Sequence, residues 1–224
     1  MFFADKAILF EGTVERILLP VFIDKIEKEK KDCKLSEQYI SSIEIGGAYI
    51  IKFKELLEFL CIKTLIITDI DSVNPDTTKA EVEGGKDLLT SNVTLKDWIP
   101  GIKKIEELLN KSAPKESVDG AIRVAYQNNV NSETAPIKCG RSFEEAFIID
   151  NHTYVFNNKE KLLSIKYRLK DYQDLDEIKA KSFEIQEFID RNKKKTEFAF
   201  DLLNIRKDDW HVPTYIEEGL IWLS

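Results

Sequence analysis

The alternation of short apolar runs with helical patterns constrains this chain most. Residues Lys6 to Phe10 (KAILF) read as a short buried strand. Glu11-Gly12 follows at once, and Thr13 to about Lys31 is helical, with Val14, Ile17, Leu18, Phe22 and Ile26 recurring at three and four. Gly12 is a candidate N-cap, with Glu15 three residues on. Pro20 is expected to kink this helix or to end its first half. Tyr39 to Ile45 (YISSIEI) reads as a second strand closed by Gly46-Gly47, Tyr49 to Leu60 as a helix, and Lys63 to Thr68 (KTLIIT) as a third strand. Such a β-α-β-α-β order implies a parallel sheet with right-handed crossovers, hence an α/β fold.

Beyond that core, Ser72 to Ser91 is rich in turn formers and reads as a long extended loop. Leu95 to Leu109 is helical with a break at Pro100-Gly101, and Ile122 to Tyr126 (IRVAY) is a fourth strand. Arg141 to Ile149 starts a helix, Asn158 to about Asn192 reads as two helices, and Thr196 to Leu203 as one more. The second half is therefore a helical insertion on the sheet or a cap beside it.

Two acidic groups stand out. Glu11 sits where the first strand stops, and Glu15 lies one turn into the helix. Like charges at i and i+4 repel by a few tenths of a kcal/mol, which invites a cation between them. Two solvated glutamates favoured by the helix dipole are the alternative. Asp69-Ile70-Asp71 follows a buried strand. Residues i and i+2 on a strand point to one side, so both carboxylates are expected to aim at one point. An Asp-rich turn is the alternative. Ligand sites in parallel sheets lie beyond the carboxyl ends of strands, where both groups fall. Hard oxygen donors suit Mg²⁺ or Mn²⁺, the usual machinery of phosphoryl transfer.

Composition narrows the classes further. The chain has 33 basic and 40 acidic residues, a net charge of −7, so no global basic charge signals nucleic acid. Two histidines exclude most His-rich metal sites, and three scattered cysteines without CxxC favour a reducing compartment. No apolar run spans a bilayer and no signal-peptide pattern opens the chain, so a cytoplasmic protein that uses no membrane is expected.

The sequence resembles the Toprim catalytic domain of topoisomerases, primases and some nucleases, and more closely the OLD (overcoming lysogenisation defect) nucleases, which include the nuclease subunit of the Gabija anti-phage system. The matching stretches are FFADKAILFEGTVERILLP, IEIGGA, TLIITDIDSV, LLTSNVTLKDWI, IRVAYQ, GRSFEEAF, KKTEFAFDLL and VPTYIEEGLIWL, which run over residues 2–223. The resemblance implies one Toprim nuclease domain over residues 1–224: an α/β core with insertions at 1–150, a helical segment at 151–190 and a catalytic-lysine segment at 191–224. It implies Glu11, Glu15, Asp69 and Asp71 as metal-associated residues. Glu144 would help hold a second metal, with Glu145 as the competing choice. Lys195, in a register shared with Lys193 and Lys194, would stabilise charge at the scissile phosphate of DNA. Glu11, Asp69, Asp71 and Lys195 would be the catalytic set.

These nucleases carry an ATPase domain ahead of the Toprim domain and form homo-oligomers. Here Met1 precedes the Toprim start directly, and no GxxxxGK[ST] loop occurs. A fragment of a longer chain, or a stand-alone nuclease, is the expectation. The alternatives are a phosphatase of the haloacid dehalogenase type with Asp69 as nucleophile, and a non-catalytic Toprim assembly module. The remaining features have blander readings. Arg141 and Ser142 are candidates for phosphate contact, with Ser142 read first as an N-cap. Trp98, Trp210 and Trp222 read as core or interface, His211 as structural, and the lysines at 28–34 as a solvated face.

Overall fold

A computed structural model describes residues 4–83, 86–110, 113–128, 138–205 and 207–224. Phe2 and Phe3 of the first matching stretch, and Gly84-Gly85 of the expected loop, lie outside the described residues. The frame is a four-stranded parallel sheet. Strand β1 (Lys6–Phe10) leads through helix α1 (Thr13–Glu29) to β2 (Ile40–Glu44), and a 3₁₀ segment (Gly47–Phe53) with α2 (Lys54–Leu60) leads to β3 (Lys63–Ile67). Short strands β4 (Ser72–Val73), β5 (Val82–Glu83) and β6 (Leu89–Thr90) precede α3 (Val93–Asp97) and α4 (Ile105–Leu108), and β7 (Ile122–Ala125) completes the sheet. Its order is β2-β1-β3-β7.

The rest is β8 (Lys138–Cys139), α5 (Phe143–Asp150), α6 (His152–Asn157), α7 (Lys166–Leu169), α8 (Leu175–Ala180), α9 (Ser182–Arg191), α10 (Lys195–Asn204) and α11 (Thr214–Leu223). The Asn158–Asn192 stretch is thus three short helices rather than two, and α11 was not read from the sequence.

Period-two alternation sorts the strand residues onto two buried faces, as a parallel sheet covered on both sides requires. Ile8, Phe10, Leu65, Ile67 and Ala125 pack with α1, α5 and α9 to α11, around fully buried Trp210 and Phe147. Ala7, Leu9, Ile66 and Val124 pack with the 3₁₀ segment and α2 to α4. Gly219 lets α11 close on the sheet, since a Cβ there would meet the Leu65 side chain at 2.9 Å. Trp98 and Trp210 are buried, Trp222 is partly so, and the His211 backbone is gripped by the Asn151 amide.

Two expectations need correction, and the alternatives at Pro20 narrow. α1 runs from Thr13 to Glu29, so the proline does not end its first half. Pro20 is exposed, so solvent can satisfy the carbonyl that loses its donor. The Tyr49–Leu60 helix is 3₁₀ as far as Phe53 and α only from Lys54. The Ser72–Ser91 stretch is not a plain loop: β4 pairs antiparallel with β6, and β5 with β8. Among the described residues no helix is long and apolar enough to cross a membrane.

Candidate active site

The parallel register of β1 and β3 pairs Phe10 with Ile67, so both strands end at the same level, with Glu11 beside Thr68 and Asp69 one residue further on. Gly12 is the N-cap of α1, with an extended backbone (φ −120°, ψ 153°) and no side-chain cap. The Glu15 carboxylate folds back over it: a Cβ on Gly12 would stand 2.4 Å from Glu15 Oε2. Glycine here makes room for the carboxylate.

Glu11 Oε1 accepts from Thr68 Oγ1 at 2.6 Å and from Asn92 Nδ2 at 3.2 Å. Asn92 also donates to Thr68 Oγ1 (2.7 Å), while its Oδ1 caps α3 by accepting from the Leu95 N–H. The Thr90-Ser91-Asn92 triplet thereby clasps the acidic turn. Thr90 Oγ1 donates to the Ile70 carbonyl (2.6 Å), and Ser91 donates to the Asp71 carbonyl from both N–H and hydroxyl (3.0 Å each).

The two aspartates are not equivalent. β3 ends at Ile67, and Asp71 has a left-handed backbone (φ 50°), so the i, i+2 strand geometry expected of Asp69 and Asp71 does not apply. Asp tolerates this conformation better than most residues, and here the clasp on its carbonyl and the Asp71 N–H to Arg141 O bond (3.2 Å) hold it. Arg141 pairs with Asp71 Oδ1 at 3.0 Å and donates to the Ser72 carbonyl. That buried guanidinium is committed inside the protein, which removes it as a phosphate contact. Asp69 Oδ1 accepts from Gln127 Nε2 (2.5 Å) and from the Phe143 N–H at the start of α5 (3.0 Å). Gln127 is fixed in turn, taking the Ile70 N–H on Oε1 (2.7 Å) and donating to Tyr215 Oη (3.1 Å).

Helix α5 separates its two glutamates. Glu144 accepts from Ser142 Oγ (2.8 Å) and faces Lys195 Nζ at 3.4 Å. Glu145 turns away, accepting from the Arg141 N–H (2.7 Å) and from Ser182 Oγ (3.2 Å). Ser142 is the N-cap residue by position, but its hydroxyl serves Glu144 rather than a helix N–H. Of the lysine run, Lys193 takes a left-handed backbone and Lys194 pairs with Glu197, leaving Lys195, the first residue of α10, against the acidic group.

Electrostatics links the carboxylates into one chain of like charges. Burial pushes the Glu11 carboxyl up to about 7; the Thr68 and Asn92 hydrogen bonds oppose this and the Asp71 charge adds to it. Burial also pushes Glu15 up to about 7, with Glu144 as its main like-charged neighbour. Asp69 is held well above the ordinary range by burial, then by Glu15 and Asp71. Burial works against the Lys195 ammonium, but Glu144, Asp69 and Asp190 outweigh it and raise its pKa. Glu11 thus neighbours Asp71, Asp71 also acts on Asp69, and Glu15 feels Glu144 more than Glu11, so Glu11 and Glu15 are not the tightest pair.

Among the described residues no preformed cage of three or more His, Cys, Asp or Glu ligands is present. The donor chemistry nonetheless fits a hard divalent cation: every candidate donor is a carboxylate oxygen, and their mutual repulsion is what such a cation relieves. Sequence reasoning missed Thr68, Gln127, Tyr215, Lys79 and Asp190 as site residues. Asn92 had a signal, since it closes the TSN segment.

Known proteins fall in line with this geometry. Residues 2–71 match the family "Overcoming lysogenization defect protein-like, TOPRIM domain". The whole chain is 30% identical, over 240 aligned positions, to the endonuclease GajA of Bacillus cereus (strain HuB5-5), and it spans 32% of that protein's length. The fold superposes on the C-terminal region of the Burkholderia pseudomallei OLD protein with a TM-score of 0.52, at 17% identity, covering 99% of this chain and 97% of the other. Residues 2–71 thus match an OLD-like Toprim family, and the chain shares its fold along its length with the C-terminal region of an OLD protein.

Proposed function

We propose that this chain is the catalytic part of a divalent-metal-dependent endonuclease that hydrolyses DNA phosphodiesters. One observation carries the reading: five carboxylates from the ends of β1 and β3 and from α1 and α5 gather at the carboxyl end of the sheet, and Lys195 from α10 pairs with one of them, Glu144. GajA, a relative along the whole chain, is an endonuclease. Glu11, Glu15, Asp69, Asp71 and Glu144 would together hold two ions, Mg²⁺ or Mn²⁺. When bound, these would supply Lewis acidity toward a phosphoryl oxygen and lower the pKa of water.

The chain's own residues supply the rest. Asp69 Oδ1 already accepts from Gln127 and the Phe143 N–H, so Oδ2 is the oxygen left for a ligand. Asn92 and Thr68 hold Glu11 in one rotamer, and Arg141 holds Asp71. Lys195 brings the only positive charge assigned to the scissile phosphate, where it stabilises the charge that develops on the phosphoryl oxygens or the leaving 3′-oxygen. An ATPase domain elsewhere in the parent protein, outside the third of GajA's length spanned here, and assembly into homo-oligomers belong to the same proposal.

The phosphatase reading leaves Glu11 and Glu15 without a role. A supercoiled-plasmid assay with Mg²⁺, Mn²⁺, Ca²⁺ or EDTA, run beside Asp69→Ala and Lys195→Ala, tests the proposal. Metal-dependent nicking or linearisation that disappears in both variants is expected. A phospho-aspartate trapped on Asp69 would sink it, and no cleavage with any metal would favour the assembly module.

A further inference from the structure

Lys195 sits at the first position of α10, where the helix dipole disfavours a cation. Two carboxylates offset this: Glu144 Oε2 at 3.4 Å and Asp190 Oδ1 at 3.3 Å from the ammonium. They differ in what else they do. Glu144 belongs to the set assigned to metal binding, so its charge is committed when an ion is bound. Asp190, near the end of α9, lies outside that set. Its second oxygen, Oδ2, accepts from Lys79 Nζ at 2.6 Å, and Lys79 lies on the excursion between β4 and β5, 111 residues away. The Lys193 turn, with its left-handed backbone, brings Asp190 and Lys195 together; the Lys193 N–H bonds to the Asp190 carbonyl at 3.1 Å and the Lys194 N–H to the Ile189 carbonyl at 2.9 Å.

We propose that Asp190 is the positioning residue that holds the Lys195 ammonium against Glu144 and the acidic group, and that Lys79 locks Asp190 in the rotamer that does so. The inference rests on the nuclease reading for its kinetic consequence but not for its geometry. Asp190 touches neither phosphate nor metal; it acts through Lys195. It also ties the β4–β5 excursion to the catalytic lysine, so that a displacement of this excursion would reach the chemistry through one carboxylate.

Zero-length carbodiimide coupling of the metal-free chain, read by peptide mass spectrometry, tests the geometry directly. Carbodiimide activates a carboxylate, and an adjacent amine displaces the urea to form an amide. A Lys195–Asp190 amide is expected, falling several-fold in Lys79→Met, which keeps Asp190 itself. Plasmid nicking tests the consequence. Asp190→Asn is expected to lower kcat roughly tenfold or more, as lost support of a reacting group does, with KM for DNA unchanged and the fall largely recovered by Asp190→Glu. A merely structural role would not give a kcat loss with KM unchanged that Asp190→Glu recovers. Absence of the Lys195–Asp190 amide overturns the proposal, as does an Asp190→Asn variant that nicks as fast as the wild type. If the wild-type chain cleaves nothing, the nuclease reading fails while the coupling result still decides where Asp190 holds Lys195.

Discussion

The two ends of the sheet each gather like charges, and they handle them in opposite ways. At the amino end Lys6 and Lys63 stand side by side in register. Both are answered within the chain: Lys6 Nζ donates to the Ser224 carbonyl at 2.6 Å and Lys63 Nζ to the Trp222 carbonyl at 2.5 Å, at the negative end of α11, and Lys63 also lies over the Trp222 ring. At the carboxyl end the carboxylates outnumber their partners. Arg141 answers Asp71 and Lys195 is shared between Glu144 and Asp190, while Glu11, Glu15 and Asp69 keep raised pKa values. One end spends its charges on holding the fold. The other holds repulsion in reserve, which is what a site built to recruit a cation needs.

The largest effect expected from this contrast is at Asp69. Asp69→Asn keeps an acceptor for Gln127 and the Phe143 N–H but removes the charge. Plasmid nicking should fall roughly 10³-fold, about 4 kcal/mol of transition-state stabilisation. Retained nicking would show that the charge is not used.

Glu15→Gln should separate stability from activity. Glu15 keeps its proton to about pH 7 in the folded chain, against an ordinary value of 4.5. Between those values the unfolded chain binds fewer protons, so stability falls as pH rises, by up to about 1.4 kcal/mol per pH unit for this group. The metal-free melting temperature of Glu15→Gln should therefore gain on the wild type from pH 5 to pH 7, while nicking drops. A difference that is flat with pH would refute the burial and repulsion assigned to Glu15. Saturating Mn²⁺ should shrink the pH dependence in the wild type only.

A smaller effect is expected at Gln127→Leu, which frees Asp69 Oδ1 from one of its two donors. Metal affinity, read by calorimetry, should fall about tenfold with the fold intact. The smallest is at the other end. Lys63→Met removes the bond to the Trp222 carbonyl, costs about 1 kcal/mol, and lowers the melting temperature by roughly 2–4 °C. Nicking per folded molecule should not change; a change would mean that the two ends are coupled.

The parts of the molecule that were readable in the sequence are those whose signal is local. KAILF and KTLIIT are apolar, β-rich runs broken by acidic residues, and they are β1 and β3 with Glu11 and Asp69 at their ends. Lys195 enters by resemblance, and of the three lysines it is the one that pairs with Glu144 after the left-handed turn at Lys193. What escaped is tertiary. β4 and β6 have two residues each and exist because the clasp brings Ser72 to Thr90. Gln127 meets Asp69 across 58 positions and Lys79 meets Asp190 across 111, and no spacing rule reaches so far. The error about Asp69 and Asp71 has the same root: strand periodicity was carried past Ile67, where the strand had ended.

The clasp of Thr90 and Ser91 on Ile70 and Asp71 also makes the excursion between them a closed loop in the topological sense. Chain length can be added or removed inside it while the distance from β3 to α3 stays fixed. This makes the segment a place where related chains can diverge in length and surface without disturbing Asp69 or Asn92, so long as Lys79 keeps its reach to Asp190.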